Sequence, residues 1–365
     1  MDIPPTTIKG IPNIGNTCFL NTCLQILLQT PEFNGVNDSE VREKNVLERN
    51  IWIEWKRWKE AQENPTNRSV SPSAFFHAIQ SLANQKGVSL FSGYVQNDLS
   101  EFLLFFIDAM HDYFKRPIDT KIKGTIQNDT DKMAIECYKM LQETYHHSYS
   151  DILDIFYGIS VSIITSPQSI RLSSKPQSFF ILDLPIPVTN PTIPTSTSIY
   201  SCLDHYVSPE FMENGWIHET TKKTQSVYKH TVFWNFPKIL VISFQRFHTN
   251  YIPNHPNPIQ ISKNTQLIDF PIGGDGLSLG LDLSKYVVGY AASTFRYHLY
   301  GIVNHIGDVH GGHYTAFVKQ KSDQSPDLNQ WYHCNDEIVE IVPKEALSAM
   351  ITPMAYMLFY RRISI

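Results

Sequence analysis

The residue best placed for chemistry is a cysteine near the start of the chain, Cys18. It follows the sequence GIPNIGNT and opens a run in which apolar residues recur at helical spacing as far as Pro31, which predicts a helix beginning at the cysteine. Asn16 or Thr17 is the predicted N-cap. Unpaired N–H groups and the positive dipole end at a helix N-terminus both favour the thiolate, the nucleophilic form of cysteine.

The same N–H groups would donate hydrogen bonds to an oxyanion formed when a thiolate attacks a carbonyl carbon. Asn13, on the preceding loop, is a candidate for an additional side-chain donor. A lone cysteine is more often a buried structural residue than a catalyst, so its position alone does not establish a nucleophile. A cysteine hydrolase also needs a histidine base and an Asn or Asp that orients the base.

Candidates for the base and its partner lie near the other end of the chain. Among 14 histidines, His313 follows two glycines in HGGHYTAF and is predicted to open a strand, which is a rigid position for an imidazole. Asn335 and Asp336 follow about twenty residues later in WYHCNDEIV, and a hairpin would bring one of them beside the histidine. The order Cys, His, Asn or Asp matches papain-type hydrolases.

Composition restricts the class of protein. The chain has 365 residues, 42% of them apolar and 18% charged, as expected for a soluble globular protein with one large domain or two average ones. A net charge of -5 argues against a general nucleic-acid surface. No apolar run is long enough to cross a bilayer, and residues 1–9 lack the apolar core of a signal peptide.

The five cysteines are odd in number and irregularly spaced. This pattern does not fit a disulfide framework and favours a reducing, intracellular compartment, cytoplasmic or nuclear. No C-x-x-C pair occurs, so a zinc site built from such pairs is excluded, and we expect neither a metal nor another cofactor.

Periodicity predicts an α+β chain, with helices first and a mostly antiparallel sheet after them. Trp52, Trp55 and Trp58 form an aromatic stripe on one predicted helix, where packing against a neighbouring helix is expected. Asp98 is the predicted N-cap or a first-turn acid of another helix. Residues 203–211 indicate a short helix. Short β-branched and aromatic runs from about residue 152 onwards predict strands, at 156–164, 178–184, 227–234, 239–247, 297–304, 314–319, 331–335 and 354–361.

Five segments resemble motifs of the ubiquitin-specific proteases, in the family's order. Residues 10–21 resemble its Cys box, with Ile11 in place of Leu, and residues 95–103 resemble its Gln-Gln-Asp box. The segment PKILVISFQRF resembles its Leu-x-Arg-Phe strand, and residues 297–319 and 331–339 resemble its His box. The resemblance covers nearly the whole chain and implies a papain-like cysteine protease fold with a helical thumb, β fingers and an antiparallel-sheet palm.

The resemblance implies a single catalytic domain over residues 8–365, in which 8–150 form the thumb, 151–236 a fingers-like region and 237–365 the palm. It also implies that ubiquitin or ubiquitinated proteins are the partners, and that the reaction is hydrolysis of the bond after the C-terminal glycine of ubiquitin.

Roles carry over position by position from the resemblance. Cys18 takes the place of the nucleophile, His313 of the base and Asn335 of the third triad residue, with Asp336 as an adjacent assisting residue and Asn13 as the oxyanion donor. The positions that meet the ubiquitin tail in the family are occupied here by Gln96, Asp98, Gly312 and Tyr314. A carboxylate there suits a tail that offers backbone N–H groups and arginines.

The sequence departs from the family in three places. Asn97 replaces the second Gln of its box, and Asn335 stands where many members have Asp. The fingers carry no C-x-x-C pairs, since the corresponding segments at 165–169 and 219–223 contain no cysteine. Fingers in this chain are therefore expected to be held by strand packing and not by zinc.

Three alternatives to a deubiquitinating enzyme remain at this point. The same fold would serve as a catalytically silent ubiquitin-binding module, or as a hydrolase of a ubiquitin-like modifier. The third alternative, a zinc-dependent hydrolase, fits poorly because the His-Gly-Gly-His run lacks suitable neighbouring ligands.

Overall fold

The computed structural model of the chain describes residues 8–37, 46–91, 93–187, 197–217, 222–251, 259–273, 279–308, 311–320 and 330–363. The α-helices in these ranges are α1 (Cys18–Leu28), α2 (Pro31–Asn34), α3 (Val46–Glu63), α4 (Ser73–Gln85), α5 (Leu99–Phe114), α6 (Asp129–Ser148), α7 (Asp151–Phe156) and α8 (Ile199–Val207).

All the strands in these ranges follow residue 157. They are β1 (Gly158–Thr165), β2 (Arg171–Phe179), β3 (Ile181–Leu184), β4 (Thr197–Ser198), β5 (Glu210–Ile217), β6 (Thr224–Asn235), β7 (Ile239–Phe244), β8 (Phe247–Tyr251), β9 (Ile259–Lys263), β10 (Ile268–Asp269), β11 (Leu281–Asp282), β12 (Arg296–Asp308), β13 (Gly311–Lys319), β14 (Trp331–Asn335), β15 (Ile338–Val342) and β16 (Ala355–Arg362). The α+β class is confirmed.

Helix α1 lies at the centre of the helical layer. Ten of its residues, Cys18 to Leu27, are buried, because α5 packs on one side of the helix and strands β12, β13 and β14 on the other. The helix is buried on nearly all sides, including its polar residues Asn21, Thr22 and Gln25. The nucleophile candidate is therefore fixed by packing on two sides.

The aromatic stripe of α3 packs as expected. Trp52 and Trp55 contact Phe33 with ring centroids 5.9 and 5.7 Å apart, and Trp55 also contacts Phe75 and Phe106. Asp98 is the N-cap of α5, since its carboxylate accepts hydrogen bonds from the backbone N–H groups of residues 100 and 101. Both predictions are confirmed.

The large sheet has eight strands, in the order β15-β14-β13-β12-β16-β7-β3, with β11 paired to β12. Its pairings are antiparallel except for β3 and β7, which run parallel. The helices α1 and α7 pack against this sheet, and their shared core contains Phe19, Leu20, Val241, Val303 and Phe359. The catalytic candidates lie where α1 meets the ends of β13 and β14.

A four-stranded antiparallel sheet, in the order β2-β1-β6-β5, follows the helical layer. Helix α6 covers one face of it, with Met133 and Cys137 packed on Val161, Ile163 and Trp234. No group of three or more His, Cys, Asp or Glu side chains that could hold a metal occurs in the ranges given above. The packing of α6 on this sheet buries one of its faces.

None of the helices in the described ranges has both the length and the apolar character needed to cross a membrane.

Candidate active site

Cys18 is the first residue of α1, and its residue surface is 4% exposed. Thr17 occupies the N-cap position, but its side chain makes no capping hydrogen bond to the helix. Its Oγ1 instead accepts a hydrogen bond from the N–H of Ile14 at 3.0 Å and donates one to Oδ1 of Asn13 at 3.3 Å. The first-turn N–H groups are therefore not consumed by a capping side chain and remain beside the thiol.

Burial raises the pKa of the Cys18 thiol above its ordinary value, and the negative charge of Asp336 adds to this effect. Hydrogen bonds from the backbone N–H groups of Tyr314, Phe19 and Cys18 itself lower the pKa but do not offset the burial. The N–H groups at the helix start thus favour the thiolate, as expected, while burial opposes it, so a base beside Cys18 would assist its ionisation.

His313 and Asn335 form the predicted pair. Nε2 of the imidazole lies 2.6 Å from Oδ1 of the amide, because β13 and β14 are antiparallel neighbours and these residues stand at their adjoining ends. With its Nε2 proton donated to the amide oxygen, the imidazole keeps Nδ1 as an acceptor. The next residue, Tyr314, offers its N–H to the Cys18 sulfur, which brings the strand that carries the base against the thiol.

Asp336 has a different set of partners from Asn335. Its Oδ2 accepts a hydrogen bond from Nδ2 of Asn13 at 2.9 Å, and its Oδ1 accepts one from Nδ2 of Asn21 at 2.8 Å. Its backbone oxygen accepts from the N–H of Ile11 at 2.9 Å. The structure thus resolves the choice left open by the sequence: Asn335 contacts the histidine, and Asp336 holds the loop before α1.

A cleft of about 370 Å³ opens beside the thiol. The residues that line it are Asn16, Cys18, Phe19, Gln96, Asn97, Asp98, Phe247, Ile261, His305, Asp308, Gly311, Gly312 and Tyr314. All four residues predicted to meet a substrate tail are among them. The fold brings together two segments that are more than 200 residues apart in sequence, since Gln96 contacts Gly312 across 216 positions.

Gln96 pairs with the backbone of Gly312 in both directions. Its Nε2 donates to the carbonyl oxygen of Gly312 and its Oε1 accepts from the N–H of Gly312, each at 3.2 Å. A Cβ on Gly312 would lie 2.2 Å from Nε2 of His305, and one on Gly311 would lie 2.5 Å from Oε1 of Gln96. Close packing therefore favours glycine most strongly at position 312, where the added atom would also lie 2.5 Å from the backbone oxygen of Ile306.

The carboxylate of Asp98 is already saturated by donors of the chain. Oδ1 caps α5, while Oδ2 accepts hydrogen bonds from the hydroxyls of Tyr314 at 3.0 Å and Tyr356 at 2.9 Å. Burial, together with this neighbouring negative charge, raises the pKa of both tyrosines. Asp98 thus fixes Tyr314 in the cleft wall and joins α5 to β13 and β16.

Comparison with known proteins agrees with this geometry. The family model described as "Ubiquitin carboxyl-terminal hydrolase" matches residues 9–360. The chain belongs to the ubiquitin carboxyl-terminal hydrolase family. Among curated relatives, it is 28% identical over 364 residues to ubiquitin carboxyl-terminal hydrolase Usp2 of Drosophila melanogaster, covering 97% of this chain and 34% of that protein. It is 28% identical over 376 residues to ubiquitin carboxyl-terminal hydrolase 2 of Bos taurus, covering 98% and 55%.

The chain thus spans between about a third and about a half of the length of these relatives. Among solved structures, it is similar to the SAGA DUB module of Ubp8, Sgf11, Sus1 and Sgf73 bound to monoubiquitin, with a TM-score of 0.69 and 21% identity, covering all of this chain and 72% of the other. The same module bound to ubiquitin aldehyde gives a TM-score of 0.66. The hydrolase fold predicted from the motifs is confirmed.

The sequence did not single out His305, which lines the cleft, or Lys263, which contacts it. Lys263 donates hydrogen bonds to Nδ1 of His305 at 3.0 Å and to the carbonyl oxygens of His305 and Gly307. Burial and the charge of Lys263 lower the pKa of His305 to about 4, so its ring is neutral with the proton on Nε2. The only sequence signal was the place of His305 within the segment that resembles the His box, because a buried histidine has no periodicity of its own.

Proposed function

We propose that this chain is a deubiquitinating thiol hydrolase that cleaves the peptide or isopeptide bond after the C-terminal glycine of ubiquitin. The observation that carries the proposal is the His313–Asn335 hydrogen bond beside a buried thiol at a helix N-terminus. Its family membership and its likeness to a deubiquitinase module bound to monoubiquitin support the choice of substrate. Ubiquitin and ubiquitinated proteins are the proposed partners.

In the proposed reaction, Nδ1 of His313 accepts the proton of the Cys18 thiol, and the sulfur attacks the carbonyl carbon of the terminal glycine. The oxyanion that forms accepts hydrogen bonds from first-turn N–H groups of α1. The imidazolium then protonates the leaving amine, which departs and leaves a thioester. Water, deprotonated by the same imidazole, attacks the thioester and releases the ubiquitin carboxylate.

Asn335 and Asp336 have separate roles in this mechanism. Asn335 orients the imidazole and keeps the proton on Nε2 through its 2.6 Å hydrogen bond. Asp336 positions Asn13, whose Nδ2 has a second hydrogen to offer to the oxyanion. Asp336 thus acts through another residue and not on the reacting atoms.

The cleft is the proposed channel for the ubiquitin tail. Gln96, Asp98 and Tyr314 form its walls, and Gly312 lies at its floor, where a larger residue would clash with His305. A narrow channel of this kind selects two terminal glycines, because side chains at those positions would not fit.

We place residues 8–365 in one catalytic domain, with a thumb over 8–150, zinc-free fingers over 151–236 and a palm over 237–365. The five cysteines are free and buried, which suits a reducing compartment inside the cell, cytoplasmic or nuclear.

The test is a ubiquitin that carries a thiol-reactive group at its C-terminus, incubated with the parent and with Cys18→Ala. The expected result is one adduct, mapped by mass spectrometry to Cys18 and absent from the variant. Binding of ubiquitin without an adduct would favour a silent binding module, and reaction with a ubiquitin-like modifier alone would favour a different substrate. Absence of both binding and reaction would overturn the proposal. Reaction of the variant at another cysteine would overturn the assignment of the nucleophile.

A further inference from the structure

A second cavity lies where helices α6 and α7 meet the start of β1 and the corner between β6 and β7. It shares no lining residue with the cleft at Cys18. Its volume is about 650 Å³, a size at which proteins commonly hold small organic ligands. The proposed hydrolase reaction gives this cavity no role.

One wall of the cavity is apolar. Met140 and Leu141 of α6, Leu153 of α7, Ile159 of β1 and Phe236 line it. The side chains of Met140, Leu141 and Leu153 are only partly buried, so part of their apolar surface faces the open space. An aliphatic or aromatic group placed there would remove that surface from water.

The other end of the cavity carries two cations, Lys238 and Arg362. The N–H of Arg362 donates to the carbonyl oxygen of Lys238 at 2.8 Å. In the antiparallel pairing of β7 with β16, the adjacent residues Ile239 and Arg361 lie opposite each other. Lys238 and Arg362 therefore lie side by side on neighbouring strands. Like charges opposite each other on two strands are destabilising, and an anion that contacts both cations would offset this cost.

No carboxylate in the described ranges forms an ion pair with either cation. The guanidinium of Arg362 lies over the ring of Phe295, 5.5 Å from its centroid, and Arg362 also lines the cavity. Asp154 on α7 also lines the cavity, where its Oδ2 accepts a hydrogen bond from the hydroxyl of Tyr149 at 2.7 Å. The lining thus combines an apolar wall with two cations against one carboxylate.

Amide groups lie between the two ends. Oδ1 of Asn235 accepts a hydrogen bond from the N–H of Ile159 at 2.9 Å, which directs Nδ2 away from that strand. Gln177 on β2 adds a second, exposed amide. These groups provide donors for oxygen atoms of a bound molecule.

We propose that this cavity is a binding site for a small organic anion, whose apolar body packs on α6, α7 and β1 while its acidic group binds Lys238 and Arg362. The anion removes the repulsion between the two cations and accepts charge-assisted hydrogen bonds from both. Because the ligand contacts α6, β1 and the end of β16 together, its binding stabilises the folded chain.

The probe for the test is anilinonaphthalene sulfonate, an aromatic anion of suitable size whose fluorescence reports binding. We expect one site per chain in the parent. In a double variant, Lys238→Gln with Arg362→Gln, the affinity falls by about tenfold or more, since two charge-assisted contacts are lost. A matched double variant, Lys344→Gln with Arg57→Gln, removes the same charge elsewhere on the surface and leaves the affinity unchanged.

Two further measurements locate the site. The neutral analogue phenylnaphthylamine, which lacks the sulfonate, binds the parent and the Lys238/Arg362 variant equally. Thr144→Trp, at an exposed position of α6 that lines the cavity, fills the space without touching the strands and abolishes binding of the sulfonate. Equal affinity of the sulfonate in the two double variants would overturn the proposal, as would undiminished binding to Thr144→Trp. Thermal melting of each variant confirms that it is folded.

Discussion

Asn13 and Asp336 are 323 positions apart in sequence and are joined by a hydrogen bond of 2.9 Å between Nδ2 and Oδ2. The same carboxylate accepts a hydrogen bond from Asn21 on the helix that carries the thiol. One acidic side chain therefore fixes both the loop before α1 and the helix itself. The nearby negative charge of Asp336 also opposes ionisation of Cys18. Asp336 therefore influences both the position and the acidity of the thiol.

Substitution of Asn13 is expected to lower kcat without weakening ubiquitin binding. In Asn13→Ala the oxyanion loses one donor, which corresponds to a decrease of about a hundredfold in kcat. Asp336→Ala should cause a smaller decrease, because the Asn13 amide then loses the acceptor of its Nδ2 but keeps the hydrogen bonds that its Oδ1 accepts from Gly15 and Thr17. Steady-state hydrolysis of a ubiquitin-fluorophore substrate measures both parameters. Glu337→Ala, at an exposed neighbouring position, is the control. Full activity of Asn13→Ala would remove this residue from the oxyanion site.

Asp336→Asn is expected to make Cys18 more acidic even as it slows turnover. The negative charge of Asp336 raises the pKa of the thiol, so its removal lowers that pKa. The rate of alkylation of Cys18 by iodoacetamide should therefore reach its half-maximum at a lower pH than in the parent. Cys18→Ala identifies any alkylation at other cysteines. A half-maximal alkylation rate at a higher pH than in the parent would contradict this effect of Asp336 on Cys18.

The stability of the protein is expected to fall as the pH decreases from about 6.5 to about 4, partly because of His305. The folded chain binds a proton at this residue only near pH 4, whereas the unfolded chain binds it near 6.5. The unfolded state therefore holds more protons in this window, and acidification favours it. Burial also lowers the pKa of His111 and His230, which adds to the effect.

Melting temperatures measured across that pH window test this expectation, with His305→Gln as the variant. The glutamine amide retains a polar contact to Lys263 but does not titrate, so the dependence on pH should be shallower than in the parent. Identical slopes in the two proteins would show that His305 is not a source of the acid sensitivity.

Arg361 is expected to matter more for stability than its partner Glu32. The guanidinium donates to Oε1 of Glu32 at 2.8 Å and to the carbonyl oxygen of Gln29 at 2.7 Å, and it lies 4.3 Å from the centroid of Tyr300. Arg361→Ala removes all three contacts and should cost about 2 to 3 kcal/mol of unfolding free energy, whereas Glu32→Ala should cost about 1. Urea unfolding of both variants and of the double variant measures the coupling. Equal costs would mean that only the ion pair contributes.

Gly312→Ala is expected to abolish the proposed hydrolase activity through steric conflict. The added Cβ would lie 2.2 Å from Nε2 of His305 and 2.5 Å from the carbonyl oxygen of Ile306, so the floor of the cleft would have to shift. Gly87→Ala is the control, because its Cβ meets nothing within 4 Å although its φ of +68° carries backbone strain. Loss of activity in Gly312→Ala at unchanged melting temperature would place the effect in the cleft. Full activity would show that the cleft tolerates the methyl group.

Periodicity and turn chemistry were sufficient to predict most of the helices and strands from the sequence. The thiol-bearing helix, the capped helix at Asp98 and the buried tryptophan stripe follow from local patterns, and the structure has them where expected. The helix predicted at 203–211 instead begins at Ile199, because Ser198 caps it by accepting a hydrogen bond from the N–H of Ser201. A Pro, Thr and Ser-rich segment before it obscured that cap.

Contacts between segments far apart in sequence, and their effects on pKa, were harder to predict from the sequence. Residue types and their order identified Cys18, His313 and a choice between Asn335 and Asp336, but local sequence does not fix which of two adjacent side chains faces a neighbouring strand. The raised pKa of Cys18 depends on burial by elements distant in sequence, which no local pattern reports. For the same reason, the contact of Lys263 with His305 could not be read from either segment alone.

The order of strands in the large sheet has a consequence for biosynthesis. Strand β16 lies inside the sheet between β12 and β7, although it follows both of them in sequence, and Asn335 on β14 follows Cys18 by more than 300 positions. During synthesis, the residues of Cys18 and its helix are therefore made long before the base, the orienting amide and this interior strand. The large sheet closes, and the candidate site reaches its geometry, only after residues 355–362 have left the ribosome.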